Sequence, residues 1–532
     1  MAECEHLART TAYFDGALPE AEQAAALEHL AGCAECQAVL GDAVVLDAVT
    51  APAAHAPAAT TAHVTSRRWL RSVAMIGGLV AAAAVAFVVW PRPVPEAPQV
   101  ALELPRERAI EARFTGERFA AHRPYSVSRG DRSSEAISLG TLAQLEQHGD
   151  RRELLAALVA TGDLARARTL AAELPADARG ESDRAALALA AHELEPALDH
   201  AYRAIELDPG LAAAHWNLGI AARELGLPRV SRDAFATVAK IAEPGWAAEA
   251  SAQIGKLDHE LAVETEFGAF DQRARAMLAG GPPLPVTDAA RFPALARGYV
   301  LDTLRVRSGA EVAPLRPLVD ALDAASGKPT LAAAAAIATS GNRTLRARFA
   351  DRYRALLAGT ATAAEAEQLV TDLRAAGHAV DDLRAGAILH GGHAATHVDE
   401  LRAIVAPWHD PWFDLAVERA RIESAFPRGD EHADTALTDA LATCDNNPAW
   451  SLRCGELAQD LAQRLIDRGR AADAERWAVR ALAAYRLAGS PMAARAVREQ
   501  LAAIHRTLGR TALARAEHEE LALSAQSAPP SP

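Results

Sequence analysis

The chain has 532 residues, and 55 Lys and Arg against 69 Asp and Glu give it a formal net charge of −14. The acidic excess is most one-sided in residues 1–65, nine acidic side chains against Arg9, which excludes binding of nucleic acid by that segment through phosphate neutralisation. Cysteine is scarce, five in all, and three of the five fall in the first 36 residues.

Those three lie in a segment that reads as three short helices. Cys4 to Phe14 contains neither Pro nor Gly, and Asp15-Gly16 is a stop-and-turn signal. Pro19 suits a first helical position, and Glu20 and Glu22 favour the positive end of the helix dipole. Residues 20–31 are rich in Ala and Leu, and Cys36 to Val49 reads as the third helix. Three short helices bury too little to be secure alone. His29, Cys33 and Cys36 form a His-x3-Cys-x2-Cys pattern. Two cysteines three apart can grip one ion from a tight turn, and His29 lies one helical turn before Cys33. With Cys4 as fourth ligand, or His6 in its place, the set is the Cys3His donor set of structural zinc. Binding Zn2+ would then supply folding free energy to the domain, residues 1–50.

Tyr13-Phe14-Asp15-Gly16-Ala17-Leu18, Pro19-Glu20, Glu28-His29-Leu30 and the cysteine pair together resemble the N-terminal module of zinc-binding anti-sigma factors. The resemblance covers about fifty residues. It implies a small helical domain that holds a sigma factor away from RNA polymerase, with Cys4, His29, Cys33 and Cys36 on the metal. Charge permits such a partner. Residues 1–65 carry nine acidic side chains against Arg9 alone, and a sigma factor presents a basic, DNA-handling surface.

Residues 51–72 follow as a linker. Its first sixteen positions are mostly Ala, Pro, Thr and His, and Arg67, Arg68 and Arg71 form a basic flank. Val73 to Trp90 is eighteen residues without a charge. At ~1.5 Å per residue it spans about 27 Å, enough for a membrane core. Trp69 and Trp90 bracket it as interfacial anchors would. Three arginines before it against Arg92 just after it put the N-terminus in the cytoplasm and the remainder in the periplasm, across a bacterial inner membrane. Residues 91–136 open with Pro91, Pro93, Pro95, Pro98 and Pro105 and read as a stalk. Within them, Glu111 to Tyr125 resembles the segment that precedes helical repeats in some membrane-anchored caspase-like proteins.

From about Ser138 the chain is Ala-, Leu- and Arg-rich with no strand pattern, so the fold class is all-α. Ala204-Ile205-Glu206-Leu207-Asp208-Pro209 resembles the end of a tetratricopeptide repeat, and His215-Trp216-Asn217-Leu218-Gly219 resembles the start of the next. Gly226 and Phe235 fall at its turn glycine and large apolar position, and Thr161-Gly162-Asp163-Leu164 marks an earlier unit. Arg468-Gly469-Arg470 and Leu508-Gly509-Arg510 recur forty apart. The expectation is tetratricopeptide-like repeats over 137–256 and 452–524, degenerate helical repeats over 257–451, and a disordered tail over 525–532. Each unit is a hairpin that buries its apolar face only by stacking, which leaves a concave surface for a protein or peptide. The whole is one solenoid or two helical lobes.

No phosphate loop, nucleophile elbow or His-Glu-x2-His motif is present, so the reading is of a non-enzyme with no catalytic residues. His390, His393 and His397 crowd together, either as a polar loop or as a metal site. Trp408 to Phe413 is aromatic packing around a helix start or a ligand surface. Cys444 and Cys454 flank a turn and are either a disulfide or two unpaired thiols. Two functions fit these features. One is an anti-sigma factor for an extracytoplasmic-function sigma factor, regulated by its periplasmic repeats. The other is a zinc-domain adaptor whose repeats assemble a periplasmic complex.

Overall fold

A computed structural model describes residues 104, 106–126, 137–148, 150–427, 430–444 and 447–527. The expected zinc domain, linker and membrane span, 1–90, lie outside the described residues. The described residues are all-α, and no strand occurs among them. No helix among them is long and apolar enough to cross a membrane.

The chain divides into two compact units. The first takes residues 1–104 and 136–154. Its described part is α1 (Leu139–His148) and the first turn of α2 (Arg151–Ala160). The second takes 105–135 and 155–532 and holds everything else.

The second unit begins with paired helices. After the remainder of α2 come α3 (Leu164–Glu173), α4 (Ala178–Ala190), α5 (Leu194–Leu207), α6 (Ala212–Glu224) and α7 (Pro228–Ile241). The punctuation read from sequence makes the hairpins. Asp163 caps α3 by accepting from Arg166 N, Asp208 turns the chain after α5, and Pro228 opens α7. Gly226 between α6 and α7 has φ +66°, which a side chain would strain. At Gly219 a Cβ would lie 2.8 Å from the Phe235 ring, so the missing side chain is what lets α6 close on α7. Trp216 is fully buried between Phe235 and Trp246, edge-on to both at 5.1 and 4.9 Å.

α8 (Trp246–Leu278) is 33 residues long. It runs through the boundary expected at 256, because nothing strong enough to end it occurs before Gly280-Gly281-Pro282-Pro283. The middle region follows as ten helices, α9 (Val286–Arg291), α10 (Pro293–Val306), α11 (Arg316–Ser326), α12 (Thr330–Ser340), α13 (Arg343–Leu357), α14 (Ala363–Ala376), α15 (Asp381–His390), α16 (Val398–Val405), α17 (Pro411–Ala425) and α18 (His432–Leu441). Their uneven lengths explain the missing period. Ion pairs tie them internally: Arg346 holds both oxygens of Asp382 at 2.9 and 2.8 Å, and Arg297 pairs with Asp410, all four side chains nearly fully buried. The last four helices are 17 residues each: α19 (Ser451–Asp467), α20 (Ala471–Leu487), α21 (Pro491–Thr507) and α22 (Thr511–Ser527). α22 thus runs three residues past the expected end of the repeats.

One apolar core extends from Phe270 to Ile504, so the middle region and the last repeats are one body rather than two lobes. The array also closes on itself. α22 packs on α5 and α7. Tyr202 donates to Glu519 (2.6 Å), Arg486 donates to Gly226 O (2.6 Å), and Glu520 accepts from Arg229 N and Val230 N (2.9 and 3.0 Å).

The stretch expected as a stalk over 91–136 differs where it is described. Residues 106–126 form a loop seated on the first repeats. Its ends meet, Arg108 N donating to Pro124 O (2.9 Å) and Ser126 N to Arg108 O (3.2 Å). Phe114 and Phe119 are buried. Pro content predicts an extended backbone but says nothing of where that backbone docks.

Candidate functional site

The residues expected to hold zinc, Cys4 (or His6), His29, Cys33 and Cys36, lie outside the described residues. Their donor set, three thiolates and one imidazole, fits a closed tetrahedral zinc site. Cys444 and Cys454 are bonded to each other with Cα atoms 5.9 Å apart, linking the end of the α18 hairpin to α19.

The histidine cluster divides in two: His390 stands apart, while His393 and His397 share Glu367, His393 at 3.6 Å. His390 reaches Asp302 (Nε2 to Oδ1, 3.2 Å), His397 reaches Glu367 (3.0 Å), and His393 lies against Ala363 O (3.3 Å). Among the described residues no group of three or more His, Cys, Asp or Glu side chains is placed to hold a metal ion. The Trp408–Phe413 stretch is packing. Asp410 accepts from Trp412 N (3.0 Å), Trp412 and Phe413 are buried, and the Arg453 guanidinium lies 4.0 Å from the Trp412 ring centre.

The developed site is the groove formed by α4, α6 and α8, which the 106–126 loop fills. Its floor is aromatic, Trp216 and Trp246, and its walls carry side chains that read a backbone. Asn217 is fully buried and holds one residue of the loop from both sides, accepting from Arg113 N (2.8 Å) and donating to Arg113 O (2.9 Å). Asp183, on α4, accepts from Thr115 N and Thr115 Oγ1 (2.7 and 2.6 Å). The indole N–H groups complete the pattern, Trp216 donating to Glu111 O (2.9 Å) and Trp246 to Ala120 O (3.0 Å). An extended peptide leaves its backbone N–H and C=O groups unpaired, and burying them requires this kind of partner.

Charge fixes the register. Glu111 takes a bidentate pair from Arg223 on α6, 2.7 Å to each oxygen. Although burial opposes it, Glu111 and Glu224 raise the Arg223 pKa, so the guanidinium stays charged. Arg108 donates to Glu249 on α8 (3.0 Å), and its guanidinium lies 4.5 Å from the Trp246 ring centre. Arg113 pairs with Glu243 and also lies 4.5 Å from that ring. Cations over an indole face are held by its quadrupole as well as by the carboxylates. At Gly245 (φ +79°) the loop's His122 approaches so closely that a Cβ would overlap its ring.

Sequence reading missed this site. In sequence, Trp216 and Asn217 match the opening of a repeat, and nothing marks Asp183, Arg223, Trp246 or Glu249. The available signal was Asn217, an amide on the apolar opening of a repeat, where packing alone has no use for it.

Comparison with known families matches residues 4–37 to a family described as "Putative zinc-finger". No curated protein matches the chain. The matched segment starts at Cys4, ends one residue after Cys36, and contains every expected zinc ligand, so the N-terminal segment is similar to a zinc-finger module of a type typical of anti-sigma factors.

Proposed function

We propose that this chain is a membrane-anchored anti-sigma factor. Its N-terminal zinc domain sequesters an extracytoplasmic-function sigma factor in the cytoplasm, and its helical array senses a periplasmic state. The observation that carries this reading is the zinc-finger match over 4–37, which takes in Cys4, His29, Cys33 and Cys36. Two features of the sequence support it: the acidic charge of residues 1–65, and an uncharged eighteen-residue stretch that separates this module from the repeats. The chain acts by binding, not catalysis, and contacts nucleic acid only through its partner.

A second reading, the zinc-domain adaptor, is favoured by the peptide-reading groove, since such grooves assemble complexes. One experiment separates the two. Residues 1–66 are expressed in cells carrying a promoter reporter for each extracytoplasmic-function sigma factor, and the same fragment is used as bait. The anti-sigma reading expects one sigma factor to be captured and its promoter silenced. Capture of some other cytoplasmic protein with every promoter unchanged establishes the adaptor.

A further inference from the structure

The groove is filled by the chain's own segment, and that segment begins sixteen positions after Trp90, the end of the expected membrane span. We propose that the α4–α6–α8 groove is a peptide-binding site whose resting occupant is the 106–126 loop, and that an extended partner peptide carrying an acidic-x-Arg-Phe-Thr pattern displaces it. This extends the reading of the repeats as a binding array and is independent of what residues 4–37 bind.

The loop has the character of a ligand rather than of a core element. Apart from one helical turn, Glu117–Ala120, and the bridge that joins its ends at Arg108 and Tyr125, it has no secondary structure of its own. The groove holds it largely through its backbone, by way of Asn217, Asp183 and the two indoles, and those groups would serve any extended chain of the same register. Specificity lies in four side chains, Glu111 on Arg223, Arg113 between Glu243 and Trp246, buried Phe114, and Thr115 on Asp183. A vacated groove would present carboxylates, an amide and a guanidinium that water can satisfy, and the Trp216 and Trp246 faces that an incoming peptide would cover again. The pinning of Arg108 to Pro124 and Ser126 lets the loop leave as one piece.

A tethered ligand competes at its effective concentration, on the order of millimolar for a short tether. A free peptide that binds the open groove at about 10 μM therefore meets a roughly hundredfold penalty in the native chain. Displacement frees a segment that residues 91–105 join to the expected span, so occupancy of the groove can be read at the membrane.

The test uses the full-length chain in detergent and a fluorescent peptide of residues 106–126. Wild type should bind it weakly. The double variant Arg113→Ala/Phe114→Ala, altered in the loop and intact in the groove, should bind at least tenfold more tightly. Adding Asn217→Ala to that variant should abolish binding. Equal, weak binding by wild type and by a loop variant that melts as wild type does would overturn the proposal, because the loop would then be a fixed part of the fold. If the loop variant fails to fold, hydrogen exchange of the wild-type Arg113 and Thr115 amides decides, because Asn217 and Asp183 hold them in the native loop. Exchange that accelerates with excess unlabelled peptide supports displacement, and an unchanged rate overturns it. Neither readout involves the sigma factor, so a failure here is distinct from failure of the anti-sigma reading.

Discussion

Glu520 provides the sharpest quantitative test of how the array closes. It lies on α22, 1% exposed, and accepts from Arg229 N and Val230 N in the first turn of α7 and from the Arg229 guanidinium at 3.3 Å. α7 has no side-chain cap of its own. A carboxylate from the far end of the chain therefore satisfies donors that a helix start leaves open and meets the positive end of the helix dipole. Glu520→Ala strands two largely buried N–H groups at about 1–3 kcal/mol each, so with partial hydration the loss is about 2–4 kcal/mol. Opening of α22 from α7 should become about 30- to 1,000-fold more frequent. Glu520→Gln keeps a carbonyl for the two N–H groups and removes a charge that burial disfavours, so it should cost no more than about 1 kcal/mol. Burial, opposed by Arg498, the two amides and Arg229, raises the Glu520 pKa. A folded state that holds its proton more tightly than the unfolded chain, near pH 4.3, is favoured by acid between the two values. Wild type should therefore gain on the Gln variant as pH falls from 7 towards 4.5. Hydrogen exchange of α22 and of the Arg229 and Val230 amides, with thermal melts at both pH values, measures this. An alanine variant whose α22 exchanges like wild type, or a glutamine variant as damaged as the alanine one, would refute the capping argument.

Two further outcomes are expected. Purified residues 1–50 should carry one zinc per chain by elemental analysis, and Cys33→Ser or Cys36→Ser should lose metal and helical circular dichroism together; Cys4→Ser should damage binding more than His6→Ala. In the middle region burial opposes ionisation of Asp302, but His390, Arg305 and the Tyr353 hydroxyl outweigh it and hold its carboxyl well below the usual carboxylate range. The stability this contributes is present above about pH 4 and is lost as pH falls through the lower folded value. Asp302→Asn leaves Arg305 buried without its nearest carboxylate and should cost about 3–5 kcal/mol by denaturant melts at neutral pH, shrinking in strong acid.

The elements of this protein were legible because their signals are local. Gly226, Pro228, Asp208-Pro209 and the forty-residue recurrence of Gly469 and Gly509 act on neighbouring backbone, and each marks a helix end in the structure. The zinc pattern is local in the same way, four expected ligands within the first 36 residues, and the family match covers the same span. Where the signal weakened, the structure accounts for it. The middle helices run from 6 to 15 residues, so no period exists to be found, and α8 crosses the expected boundary because its only glycines, Gly255 and Gly268, have open space around them and are tolerated inside a helix.

The sequence by itself determined the all-helical class of the described residues and the positions of their hairpins, and it supplied the Cys and His spacing that the zinc-finger match spans, since periodicity, turn residues and ligand spacing act over a few tens of residues at most. Tertiary structure alone decided that α22 returns to α7, that Glu520 caps a helix some 290 residues away, and that a stretch resembling a stalk lies in the groove of the repeats. The reason is physical. A carboxylate, an amide and a pair of indoles are each ordinary in sequence, and they become a cap or a peptide clamp only when folding buries them opposite backbone groups that have no other partner.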